Sequence, residues 1–129
     1  MTDGPMVKTS PDYPLPETMK AWVLGNPGEM ILTEKPVPSP ARAEVLVRID
    51  AIAICATDLE ILDHGVPAMV EGGLPFNKNF TFGHEYMGTV VALGPGVDEF
   101  DIGDRITVEI HAGCGQCKRC RQGMYTSCH

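Results

Sequence analysis

Four of the five cysteines lie close together near the end of the sequence, at Cys114, Cys117, Cys120 and Cys128. The spacing C-x2-C-x2-C-x7-C allows a tight loop to wrap four sulfurs around one ion, and tetrahedral zinc thiolate is the usual result. Two disulfides and an iron–sulfur cluster are the alternatives. Because four cysteine ligands leave no open coordination position, we expect a structural zinc ion that stabilises rather than catalyses.

The fifth cysteine, Cys55, follows an apolar run, and a histidine stands further along in Gly83-His84-Glu85. Taken singly, a buried cysteine is most often a small hydrophobic residue. Together, a thiolate and an imidazole supply two ligands of a catalytic zinc that keeps one position free for substrate. Glu85 is a candidate further ligand, and Asp58 is a candidate acceptor for the imidazole N–H.

Short strands separated by Gly and Pro turns are predicted to position these residues. The run Glu44–Cys55 alternates and then continues apolar, which predicts a long strand, buried on one face and partly on both, that ends at Cys55. The other predicted strands are Ala21–Leu24, Met30–Lys35, Thr89–Leu93 and Arg105–Ile110. The sequence therefore predicts a mainly β fold, a barrel or a sandwich.

A short helix is predicted directly after Cys55, over Ala56–Leu62. Thr57 or Asp58 is expected to cap it, with its leucines pointing inward. The following segment, Asp63–Phe82, is predicted to be a loop long enough to suspect a functional role.

The chain of 129 residues is short enough for one domain. Four prolines fall in the first 16 residues, which predicts a surface arm over residues 1–18 before a domain over 19–129. That domain ends in a cysteine lobe, residues 112–129, which carries Lys118, Arg119 and Arg121 and no acidic residue.

The net charge of −7 disfavours nucleic acid and acidic membrane surfaces as partners. We find no apolar run long enough to span a membrane and no signal peptide, so we expect a cytoplasmic protein. No strand leads into a glycine-rich phosphate loop and a helix, so we expect no nucleotide-binding residues in this chain.

The sequence resembles the zinc-dependent medium-chain alcohol and polyol dehydrogenases, over Met19 to Cys128. The matching patterns are Gly83-His84-Glu85-x2-Gly88-x5-Gly94-x2-Val97, Cys55-x-Thr57-Asp58, Phe100-x2-Gly103-Asp104-Arg105-Ile106 and the four-cysteine spacing. The resemblance implies a GroES-like, partly open β-barrel with a short helix and a structural zinc lobe.

The resemblance also implies roles for individual residues. Cys55 and His84 would bind the catalytic zinc, with Glu85 as an adjacent or exchangeable ligand. Thr57 would carry the hydroxyl that relays the alcohol proton, and Asp58 would orient His84. The zinc would act as a Lewis acid, so that an alcohol passes a hydride to NAD or NADP.

In this family the third protein ligand and the nucleotide domain lie beyond the point where this sequence stops. We therefore expect the remainder of the same enzyme to supply them, and we expect no hydride transfer by this chain alone. A small alcohol or carbonyl substrate and a homo-oligomer are expected. The alternative is a non-catalytic GroES-like or zinc-ribbon module that binds protein partners, for which the cysteine lobe alone would suffice.

Overall fold

The structure is a computed structural model that describes residues 6–65, 80–81, 83–111 and 113–128. Strands form most of its regular structure, which confirms the mainly β fold class. The elements are β1 (Lys8–Thr9), β2 (Thr18–Leu24), β3 (Met30–Pro36), β4 (Val45–Ala53), α1 (Ala56–His64), β5 (Glu85–Leu93), β6 (Arg105–Thr107), α2 (Lys118–Arg121) and a 3-10 helix (Tyr125–Ser127).

Strand β5 is the centre of an antiparallel sheet. One edge pairs with β4 along its whole length, and the other edge is shared by β6 and β1. This position buries the run Val90–Leu93 almost completely, as its apolar composition requires. Within the described residues the sheet does not close on itself, which agrees with a partly open barrel.

Strands β2 and β3 form a separate hairpin. A turn over residues 26–29 joins them, and Gly28 takes the positive φ of 76° that glycine tolerates best. Val23 and Leu24 are buried, and the Leu24 N–H donates to the carbonyl of Phe80. With Ala21, the hairpin therefore contributes three residues to the buried core.

The ladder between β4 and β5 contains two irregularities. The pair Leu46 and Ala92 is followed by Val47 and Val90, so Val91 has no counterpart on β4. Three pairs later, Ile49 faces Gly88 and Ala51 faces Met87, so Asp50 has no counterpart on β5. Both unpaired residues are bulges, which bend the strand and redirect side chains.

The carboxylate of Asp50 is held by neighbouring side chains. Its Oδ2 accepts from the Thr89 hydroxyl at 2.7 Å, and its Oδ1 accepts from Nε of Arg48 at 3.2 Å. The Thr89 bond, and secondly the guanidinium of Arg48, hold the pKa of this carboxyl below its ordinary value of 3.8.

This lowered pKa predicts a pH-dependent contribution to stability. Asp50 stabilises the fold above its pKa in the unfolded chain, and that contribution is lost as the pH falls through the lower folded pKa. Replacing Thr89 by valine should therefore reduce the free energy of unfolding at neutral pH and have a smaller effect in acid. Urea titrations of both proteins across this range measure the difference. A difference that does not depend on pH would contradict the assignment.

The structure corrects several local predictions. Strand β4 is not buried: its second half is exposed, and Ile49 and Ile52 are each about half exposed. Strand β4 is exposed because, in the described residues, it pairs on one edge only, with β5.

Helix α1 also differs from its prediction. It runs to His64 rather than Leu62, its N-cap is Cys55 rather than Thr57 or Asp58, and Leu59 is exposed. The buried residue is Asp58, because its carboxylate turns toward groups described below rather than to water.

Two further predictions concern the N-terminal arm and the loop that follows the helix. The N-terminal arm contributes β1, which the proline-rich sequence did not predict, while the boundary at residue 18 stays a prediction. The predicted loop Asp63–Phe82 lies mostly outside the described residues. None of the described helices is long and apolar enough to cross a membrane.

Candidate metal centres

Strand pairing brings Cys55 and His84 together. At the far end of the β4–β5 ladder Ala53 faces Glu85, so the chain leaves β4 toward Cys55 at the place where His84 leads into β5. Residues separated by 29 positions in the sequence thereby meet at one end of the sheet. The sequence prediction that these two residues belong to one site agrees with this placement, although their role as ligands stays a prediction.

Helix α1 begins at this end of the sheet, with Cys55 as its N-cap. The backbone N–H of Cys55 donates to Oδ2 of Asp58 at 2.9 Å, which places an acidic residue in the first helical turn, where the helix dipole favours negative charge.

Asp58 connects the helix to the histidine. Its other oxygen, Oδ1, lies 3.3 Å from Nδ1 of His84, where a neutral imidazole can donate its Nδ1–H. This bond leaves the Nε2 lone pair free to bind a cation. Asp58 is 8% exposed, so water competes little for its carboxylate.

Three donor groups converge beside Asp58. One ligand atom each from Cys55, His84 and Glu85 lies within 4.8 Å of the others, and Nε2 of His84 is 3.8 Å from Oε1 of Glu85. Nitrogen and oxygen ligands of one tetrahedral zinc stand about 3.4 Å apart, given bonds of about 2.1 Å. A small closure of the side chains would therefore fit one zinc ion, with a coordination position to spare.

Thr57 lies next to this trio on the first turn of α1. Its Oγ1 accepts a long hydrogen bond from the Cys55 thiol at 3.7 Å. Thr57 is exposed, so a hydroxyl here can exchange protons with solvent.

The cysteine lobe forms a second, separate group of donors. One sulfur each from Cys114, Cys117, Cys120 and Cys128 lies within 4.8 Å of the others. The Cys114 and Cys120 sulfurs are 4.0 Å apart, close to the about 3.8 Å between thiolates of one tetrahedral zinc and twice the about 2.05 Å of a disulfide. This spacing fits one central ion.

The pKa values of two of these thiols are shifted in opposite directions. Backbone N–H groups of Cys117 and Gln116 donate to the Cys114 sulfur and lower the pKa of Cys114. Burial raises the pKa of Cys120 to about 12. A cation that binds four thiolates must therefore displace a proton from the buried Cys120 sulfur.

Gly113 packs against the same buried sulfur. A Cβ at this position would lie 2.7 Å from Sγ of Cys120 and 2.9 Å from Cδ1 of Tyr125. Replacing Gly113 by alanine should therefore weaken metal retention by the lobe, whereas Gln122→Ala, which shortens an exposed side chain of the same lobe, should crowd no sulfur. Zinc loss to a chelator, followed over time, compares the two variants. Equal rates would contradict the packing argument.

One residue of the strand that leads to Cys55 was not singled out in the sequence. Asp50 interrupts the apolar run Val45–Ile54, and an isolated carboxylate in such a run is the signal that could have singled it out.

Comparison with known proteins gives relatives of one kind. The chain is 37% identical to the sorbitol dehydrogenase of Bacillus subtilis over 90% of this chain and 32% of the relative. It is 41% identical to the L-threonine 3-dehydrogenase of Stenotrophomonas maltophilia, over 85% of this chain and 32% of the relative. The chain thus spans about a third of the length of these curated relatives.

A solved structure and a family model agree with these relatives. Acetophenone reductase of Geotrichum candidum in complex with NAD superposes with a TM-score of 0.72 and 34% identity, over 90% of this chain and 33% of that one. The model of the alcohol dehydrogenase GroES-like domain matches residues 41–129. The resemblance seen in the sequence motifs is thereby confirmed, and the chain belongs to the alcohol dehydrogenase GroES-like domain family.

Proposed function

We propose that this chain is the metal-binding part of the catalytic domain of a zinc-dependent alcohol or polyol dehydrogenase. The enzyme oxidises an alcohol to a carbonyl by hydride transfer to NAD or NADP. The observation that carries the proposal is the convergence of Cys55, His84 and Glu85 within 4.8 Å, with Asp58 bound to the histidine. A module that only binds proteins has no need for such a set.

The donor types suit a catalytic rather than a structural ion. A thiolate, an imidazole and a carboxylate are three protein ligands, and catalytic zinc sites keep a fourth position for water or substrate. Zinc bound here would supply Lewis-acid polarisation of the substrate oxygen. Thiolate and carboxylate together would neutralise the charge of the ion, which favours a neutral substrate at the open position.

The other residues of the site hold groups in place or move protons. Asp58 fixes the His84 ring through Nδ1 and anchors the start of α1 through the Cys55 N–H. Thr57 is placed to accept the hydroxyl proton of the alcohol and to release it to solvent, since its Oγ1 adjoins the Cys55 sulfur and is exposed. The cysteine lobe holds a structural zinc ion.

The names of the relatives support this reaction class, since they refer to a polyol, a hydroxy amino acid and a ketone. We propose a small neutral alcohol or carbonyl as substrate, a homo-oligomer as the assembly, and the remainder of the same enzyme as the source of the nucleotide site. We also propose the cytoplasm as its location, since cysteine sulfurs spaced for a metal ion rather than for a disulfide suit a reducing compartment.

Metal content tests the proposal. Elemental analysis of the purified protein should give two zinc ions per chain, one for each donor group. Replacing both Cys55 and His84 by alanine should remove one of them, whereas the exposed His111→Ala should remove none. One zinc in all three proteins, each prepared as the complete enzyme, would refute the catalytic site and favour the non-catalytic module. Loss of both ions from the double variant would mean that the two sites are not independent.

A further inference from the structure

The two bulges in the β4–β5 ladder cancel each other. Val91, unpaired on β5, shifts the partner of each later β4 residue by one position, and Asp50, unpaired on β4, shifts it back. As a result, Ala53 faces Glu85 at the end of the ladder beside the Cys55, His84 and Glu85 group, as it would in a ladder with no bulges. The bulge at Asp50 therefore decides which β5 residue faces Ala53.

The effect of losing this bulge follows from the ladder itself. If Asp50 entered the ladder opposite Met87, every later pair would move by one, and Ala53 would face His84 instead of Glu85. Because side chains alternate across a strand, a slip of one residue also turns them to the opposite face. The chain would then leave β4 toward Cys55 at a different position relative to the imidazole of His84.

Two side chains on neighbouring strands bind the Asp50 carboxylate, and a third lies in the same row. Arg48 on β4, Thr89 on β5 and Arg105 on β6 form one cross-strand row. The Asp50 carboxylate binds the first two at 3.2 and 2.7 Å, and both arginines lower its pKa. Thr89 is only 6% exposed, so its hydroxyl needs this partner.

Gly88 shows how closely the strands approach at the bulge. A Cβ there would overlap the carbonyl oxygen of Arg48 and the Val47 side chain. Gly88 faces Ile49, the last paired residue before Asp50. The close approach of the two strands at Gly88 and the hydrogen bonds of the Asp50 carboxylate thus lie at the same point of the ladder.

We propose that Asp50 is a positioning residue for the Cys55, His84 and Glu85 site. By binding Thr89 and Arg48 it keeps the bulge that sets Ala53 opposite Glu85. This inference rests on the proposed function for the identity of the site, but the pairing that it predicts can be measured without metal.

Two pairs of variants test it. Asp50→Ala removes both acceptors, while Asp50→Asn keeps an oxygen for the Thr89 hydroxyl. Thr89→Val removes the donor with little change of shape, while Thr89→Ser restores it. Each protein, with zinc in the cysteine lobe, is titrated with Co²⁺ and followed by the absorption of thiolate-bound cobalt. In parallel, cross-strand NOEs identify the partner of Ala53 in the metal-free protein.

We expect Asp50→Ala and Thr89→Val to weaken Co²⁺ binding at the Cys55 site by about tenfold or more, as loss of an outer partner does elsewhere. The Asn and Ser variants should remain near the unchanged protein, and the lobe should keep its zinc. In the two weakened variants, the NOE from Ala53 to Glu85 should fade.

Unchanged Co²⁺ affinity in Asp50→Ala, or equal losses at both metal sites, would overturn the inference. If the unchanged protein binds no Co²⁺ beside Cys55, the proposed function fails. The NOEs then decide the inference alone: a displaced Ala53 partner supports it, and an unchanged partner overturns it.

Discussion

Replacing Cys120 by serine should remove the metal from the cysteine lobe and unfold the lobe. Cys120 is the buried member of the four, and the short α2 and 3-10 helices around it contribute little stability of their own. Structural zinc in small domains contributes about 10–16 kcal/mol of binding free energy, so its loss exceeds what these contacts can replace. Zinc content and amide hydrogen exchange over residues 113–128 measure the effect.

The matched control is the same substitution at the other site. Cys55→Ser should leave the lobe metal and its exchange protection unchanged, because the Cys55 donor group is separate from the lobe cysteines. A Cys120→Ser protein that keeps its full zinc content would show that the four thiols do not form one site. It would also reopen the disulfide and iron–sulfur alternatives for the lobe.

Replacing Asp58 by asparagine should lower metal affinity at the Cys55 site by about 10–100-fold. The carboxylate accepts from the Cys55 N–H with one oxygen, and its other oxygen lies 3.3 Å from Nδ1 of His84. An amide of the same shape has one oxygen, so only one of these two donors keeps its acceptor. Without its hydrogen bond, the imidazole is no longer held with Nε2 toward the ion.

Asp63→Asn is the matched control, because it makes the same change at an exposed position of the same helix. Titration with Co²⁺, with thermal unfolding alongside, separates the loss of affinity from the loss of fold. Equal affinities in the two variants would show that Asp58 does not orient the histidine. In the complete enzyme, the rate of alcohol oxidation at saturating metal should fall in the Asp58 variant only.

Both donor groups could be predicted from the sequence because each depends on residue types at short or motif-defined spacing. The four cysteines lie within 15 residues, so no long-range pairing is needed to bring them together. The meeting of Cys55 with His84 depends on the β4–β5 ladder, which spacing alone does not give. For that pair the family resemblance supplied what local patterns could not.

The local failures have physical reasons. Apolar spacing placed Leu59 inward, but α1 is instead fixed by the Asp58 carboxylate, a buried polar contact that hydrophobic periodicity does not detect. The cap prediction failed because Cys55 is not among the usual capping residues. The two bulges were not predicted because period-two alternation in one strand contains no information about its partner.

The unpaired position of Asp50 has a consequence for changes in chain length. Because this residue has no counterpart on β5, deleting it would leave Ala51 opposite Met87 and every later pair unchanged. A deletion between Ala51 and Ala53 would instead displace Cys55 along the neighbouring strand. A one-residue deletion in this strand therefore keeps the pairing opposite Glu85 when it removes Asp50, and changes that pairing when it falls one to three residues later.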